Sequence, residues 1–181
     1  MIRHLVTRTP LRQKARPYSL SKLNPFSTFA AENPTTAGAA WEKTTFSTND
    51  VTIEEGSSVH NALAKMTTHD VGCLLATNDG KVTGLISDDD CIQKVALLGK
   101  NSRETLVREI FTSKKEMLVG KRTEHLQTLM NKMAKANKMY VALSEDSDPD
   151  DDKIFGVLSV KDVATEYAAD LDGLLAQQQG S

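Results

Sequence analysis

Aromatic side chains are scarce in this chain of 181 residues: one Trp, three Tyr and five Phe make up 5% of it. So thin a supply offers no platform on which successive bases stack. Positive charge, the other means of holding nucleic acid, is missing from the body as well. Formal net charge is −2, but Arg3, Arg8, Arg12, Lys14 and Arg16 crowd the first eighteen residues, and no acid precedes Glu32. With those five set aside, 17 of the 22 basic residues stand against 24 acidic ones, a net −7. Nucleic-acid binding rests on phosphate neutralisation, so no nucleic-acid partner is expected. Long apolar runs are also lacking. The stretch Val71 to Ala76 is typical, against the roughly 20 residues a membrane-spanning helix needs, so no membrane span is expected. Cysteine is limited to Cys73 and Cys91. Without C-x-x-C spacing they argue against structural zinc, suit a reducing compartment and are not expected to pair. P-loop, G-x-S-x-G, H-E-x-x-H and dinucleotide fingerprints are absent, and the chain is expected not to be an enzyme.

What the N-terminus does contain reads as an address, with a basic arm against an acidic surface or a plastid transit peptide as the rival readings. It is Arg-rich, bears Ser and Thr, and scatters Ile2, Leu5, Val6 and Leu11 among polar residues, the composition of a mitochondrial presequence. Arg16-Pro17-Tyr18-Ser19 resembles the processing site of matrix proteins and predicts cleavage after Tyr18. Residues 24–40, rich in Pro, Ser, Thr, Ala and Gly without period, read as a linker. Residues 1–40 are thus expected to be presequence and linker, with order beginning at Trp41.

The body is one pattern written twice. In residues 41–105 a short strand, Val51 to Ile53, precedes Ser57 and Ser58 as N-cap candidates. Val59, Ala62, Leu63 and Met66 then recur at helical spacing. A strand at Gly72 to Ala76, a turn at Asn78-Asp79-Gly80 and a strand at Val82 to Ile86 follow. After Ser87-Asp88-Asp89-Asp90 a second helix is expected to run to Leu98, stopped by Gly99. In residues 106–181, Leu126, Leu129, Met130 and Met133 repeat the helix at an offset of 67, with Thr123 as the expected N-cap. Gly156 to Asp162 repeats Gly84 to Asp90 at an offset of 72. The difference falls in the hairpin turn, where the acidic stretch Glu145 to Asp152 replaces the short first turn. Turns are where insertions are tolerated. That stretch lacks the alternating ligands, central Gly and closing Glu of an EF-hand, so no calcium site is expected. His60, His69 and His125 have no metal-ligand spacing.

At Gly-h-h-Ser-x-x-Asp (h apolar, x any residue), twice, each after a strand and opening a helix, the chain resembles the cystathionine-β-synthase (CBS) domain family. The resemblance covers about Val51 to Tyr167. Met66 to Gly72 is similar to the helix-to-strand corner of many first repeats, and Val107 to Phe111 to the segment that leads into a second. It implies an α+β fold in which two β-α-β-β-α repeats pack as a pseudo-two-fold pair, expected as a homodimer or complex subunit. It further implies a non-catalytic mitochondrial module of the matrix. Such a module binds AMP, ATP or S-adenosylmethionine and modulates a protein partner, a thioredoxin-like protein or a respiratory complex. The rival reading is an adaptor subunit whose ligand sites have decayed.

The resemblance places ligand contacts at Ser87 and Asp90 in the first repeat and at Ser159, Lys161 and Asp162 in the second. Ser-x-x-Asp at a helix start is also a capping box, which needs no ligand. Asp88 and Asp89 crowd the first motif with further negative charge. Lys161 stands where Asp89 does, with Lys135 and Lys138 near the corner, so a phosphate-bearing ligand is expected to prefer the second motif. Asn137, Tyr140 and Ala142 replace the family's common Arg, His and Pro there.

Overall fold

The computed structural model describes residues 35–145 and 153–179. The leader with its expected cleavage after Tyr18, and residues 146–152 of the acidic turn, lie outside the described residues. Ala37–Trp41 (α1) and Thr45–Thr48 (α2) lead into the first repeat. Its elements are Thr52–Glu54 (β1), Val59–His69 (α3), Cys73–Asn78 (β2) and Lys81–Ser87 (β3). Ser58 caps α3 by accepting from the Asn61 amide at 3.2 Å, and Val59, Ala62 and Met66 form the buried stripe. β1 runs parallel to β2, and β2 antiparallel to β3. Their turn uses left-handed Asp79 (φ 50) and Gly80 (φ 75), the backbone that matches strand twist in a two-residue hairpin. Thr112–Ser113 (β4) adds a fourth strand beyond β3.

The second repeat copies this connectivity with Val119–Lys121 (β5), Leu126–Ala136 (α5), Tyr140–Ser144 (β6), Ile154–Ser159 (β7) and Val160–Gln179 (α6). Strand order is β5-β6-β7, again parallel then antiparallel. The two helix C-caps, Asp70 (φ 52) and Asn137 (φ 50), match at the offset of 67. The first repeat does not close its core alone, since Ala142, Ile154 and Val157 of the second pack into the cluster built by Leu74, Ile86 and Val95. The second repeat's own cluster takes in Ala37 and Ala40 from ahead of the first. Leu74, Ile86, Leu129, Met133, Leu143 and Leu158 are among the fully buried side chains, each contributing about 1.5–3 kcal/mol by burial.

The two lead-in segments serve opposite repeats. The Leu126 amide, first in α5, donates to the Thr35 carbonyl (3.1 Å), and Gly38 donates to Arg122 (2.9 Å). In the same way Val59 donates to Thr105 and Arg108 to Glu55, both at 2.9 Å. Residues 35–41 therefore complete the second repeat and residues 105–111 the first. Each segment ends on an aromatic ring laid over a glycine of the hairpin. A β-carbon at Gly156 would lie 2.3 Å from the Trp41 indole nitrogen, and one at Gly84 2.0 Å from the Phe111 ring. Trp41 meets Phe155 edge-on, with centroids 5.1 Å apart. The Arg122 guanidinium lies 4.2 Å from the Phe155 centroid, held in place by Glu145 and Glu42.

Three expectations change. Residues 24–40 read as a linker, yet Ala37 and Ala40 are fully buried, so order begins before Trp41. Thr123 is not the N-cap of α5. That position belongs to His125, without a side-chain bond, and the first amide donates to the Thr35 carbonyl. The helix after Ser87 is α-helical only over Asp88–Cys91 (α4) and continues as a π-helical turn, Ile92–Ala96. There the Leu97 amide reaches back to Ile92 at 2.9 Å. Gly99, at φ 64, ends it.

Candidate functional site

The first motif folds as a closed capping box. Ser87 Oγ accepts from the Asp90 amide (3.1 Å), and Asp90 Oδ2 accepts from the Ser87 amide (3.1 Å) and hydroxyl (2.9 Å). Asp90 Oδ1 meets Lys94 Nζ at 2.7 Å, and the same ammonium donates to the Ile110 carbonyl at 2.6 Å. The second motif repeats the box: the Ser159 amide donates to Asp162 Oδ2 (2.8 Å), and the Asp162 amide to Ser159 Oγ (3.1 Å). Both acids are thus tied to their own helix starts, as cap chemistry requires.

A cavity of about 160 Å³ opens beside the first motif. Ser87, Asp89 and Asp90 form one side; Asn137, Lys138, Met139 and Tyr140, from the second repeat's corner, form the other. Leu85, Met117, Leu118 and Ala142 supply apolar wall, with Thr112 and Glu116 at the connector. The site is therefore composite, one repeat's helix start facing the other's helix-to-strand corner. Lys138, read from the sequence as support for the second motif, serves the first. Ser159, Lys161 and Asp162 are not among the lining residues, and Lys135 is exposed on α5. Thr112, Glu116, Met117 and Leu118 carry no motif, and only the fold brings them here. Their one sequence signal is that they lie in the segment leading into the second repeat's first strand.

Tyr140 crosses to the first repeat, its hydroxyl 3.4 Å from Asp88 Oδ1. Burial, then the neighbouring Cys73 and Asp88, hold its phenol neutral well above the ordinary range. Cys73 and Cys91 are free and buried. Burial, then Asp88 and Asp162, drives the Cys73 thiol upward; burial with Asp90 and Asp88 pushes Cys91 up to about 11. Neither supplies a thiolate at neutral pH. His69 closes α3 beside the left-handed cap Asp70. Among the described residues no cluster of His, Cys, Asp or Glu has the arrangement of a metal site. No described helix is long and apolar enough to cross a membrane.

The CBS domain family model matches residues 45–97, the first repeat. The CBS domain-containing protein CBSX3, mitochondrial, of Arabidopsis thaliana is 25% identical over 130 residues, covering 68% of this chain and 61% of its own length. The chain thus spans about three-fifths of that relative. A putative signal-transduction protein with CBS domains from Burkholderia ambifaria superposes with a TM-score of 0.65 at 22% identity, over 75% of this chain and 96% of its own. A CBS-domain protein of Agrobacterium tumefaciens gives 0.63 at 22%, over 74% and 99%. A hexameric CBS-CP12 protein from bloom-forming cyanobacteria gives 0.60 at 18%, over 74% and 68%. These structures share the paired fold, second repeat included.

Proposed function

The chain belongs to the CBS-domain family, and from that premise we propose that it is a non-catalytic regulatory module of mitochondria that holds an adenosyl compound between its repeats. The composite cavity carries this reading, because it juxtaposes a hydroxyl and carboxylates with an apolar wall and Tyr140. Asp90 keeps one lone pair, on Oδ1, for a ribose hydroxyl beyond those engaged by Ser87 and Lys94. The volume lies below the roughly 300–1,000 Å³ usual for a small-molecule pocket, so a bound ligand leaves part of itself in solvent. Occupancy joins the two repeats across the cleft, and a protein partner in the matrix, thioredoxin-like or part of a respiratory complex, reads the change.

Thermal unfolding with adenosine, S-adenosylmethionine, AMP and ATP tests it. A ligand at a hundred times its Kd adds about 2.7 kcal/mol, a shift of several degrees for a body of this size. Asp90→Asn should remove the shift if the first motif holds the ligand, and Asp162→Asn if the second does. A flat response to all four compounds defeats the reading. A second reading, an adaptor or structural subunit, is favoured by Ile92, Leu97 and Leu98, which are 54%, 75% and 63% exposed directly after the first motif. Such an apolar face suits a protein contact, a second copy included. Native mass of the mitochondrial protein, with and without Leu97→Glu, separates this reading from the first.

A further inference from the structure

The charge lining the composite cavity is mostly of one sign. Asp89, Asp90 and Glu116 face it against a single ammonium, Lys138, and Asp88 stands on the same turn. Lys94 is paired with Asp90 and also donates to the Ile110 carbonyl. Backbone donors are engaged as well. The Asp88 amide donates to the Gly72 carbonyl at 2.9 Å. The Asp89 amide donates to the Asp88 carboxylate at 2.9 Å and the Asp90 amide to Ser87 Oγ at 3.1 Å. A phosphate is held by cations and by converging N–H groups, and of these the wall offers Lys138 and the Asn137 amide group. Hydroxyls and cations, by contrast, meet carboxylate acceptors.

We infer that the cavity selects purine ribosides whose 5′ substituent is neutral or positively charged and turns away 5′-phosphates, the selection residing in the Asp88-Asp89-Asp90 turn. This rests on the reading of the cavity as an adenosyl site and adds the charge class of its ligand. A module of this kind follows the level of a riboside or sulfonium compound and is indifferent to the balance of adenine nucleotides.

Calorimetry on the full chain with adenosine, S-adenosylmethionine, AMP and ATP, at low and at physiological salt, tests the inference. Adenosine or S-adenosylmethionine should bind at least tenfold more tightly than AMP and ATP, with the gap narrowing as salt screens the carboxylates. Asp89→Lys is the decisive variant, because Asp89 lies outside the capping box and its side chain accepts from Gln93 of the following π-helical turn (2.8 Å). It should raise AMP affinity relative to adenosine at least fivefold. AMP or ATP binding as tightly as adenosine overturns the inference while the adenosyl site stands. So does an AMP-to-adenosine ratio that Asp89→Lys leaves unchanged. Binding of none of the four overturns both.

Discussion

Asp50 shows how one carboxylate couples this fold to pH. Lys65 Nζ lies 2.7 Å from its Oδ2, while the Thr52 hydroxyl and amide donate to Oδ1 at 2.7 and 3.1 Å. The Lys65 bond first, then those from Thr52, lower its pKa to about 2. A depressed folded pKa stabilises above the unfolded value and loses that contribution as pH falls through the folded one. Acid unfolding between about pH 4 and 2 should therefore begin at higher pH in Lys65→Met. NMR titration should show Asp50 rising toward the ordinary aspartate range; an unmoved titration would contradict the assignment. The cysteines lead to a second expectation. With both thiols buried and raised, iodoacetamide at pH 8 should label neither in the folded protein and both in denaturant. At this scale the sequence was legible in type and silent in context. Ser87 and Asp90 stood out as motif residues, and the i,i+4 spacing of Asp90 and Lys94 suits an ion pair, but no local pattern announces that Lys94 also reaches the Ile110 carbonyl.

Among the elements, the repeat helices were readable because burial imposes a period: Val59, Ala62 and Met66 return as Leu126, Leu129 and Met133. The segment at 35–41 was misread because small residues chosen for close packing look like small residues chosen for flexibility. A β-carbon at Gly38 would lie 2.5 Å from Arg122 Cγ, so that glycine answers to packing. Gly156 gives the sharper test, since its neighbour is a rigid indole. Gly156→Ala should destabilise by about 1–3 kcal/mol through overpacking, read from the urea midpoint at unchanged m-value. Trp41→Ala in the same chain should remove most of that increment, and additive losses would show that the two do not touch. Ser159→Ala should cost about 0.5–2 kcal/mol through loss of its cap.

Across the whole molecule, the shared core makes the pair the folding unit. A unit of roughly 60 residues buries only about 60% of the surface its unfolded chain exposes, and the first repeat would also lose Ala142, Ile154 and Val157 from its packing. The body should unfold in one transition by calorimetry and circular dichroism together. A fragment of residues 45–104 should show no cooperative melt; a sharp one would mean the repeats are independent. The exchange of lead-in segments also sets a timetable. A chain delivered N-terminus first, from a ribosome or through a translocation pore, presents residues 35–41 before their docking surface exists. The first repeat obtains its own segment as soon as Phe111 emerges, whereas Trp41 waits more than a hundred residues for Phe155 and Gly156. Closure therefore runs from the tail back to the head. A nick between residues 35 and 41 during that wait would cripple the repeat furthest from the cut, leaving the nearer one's segment in place.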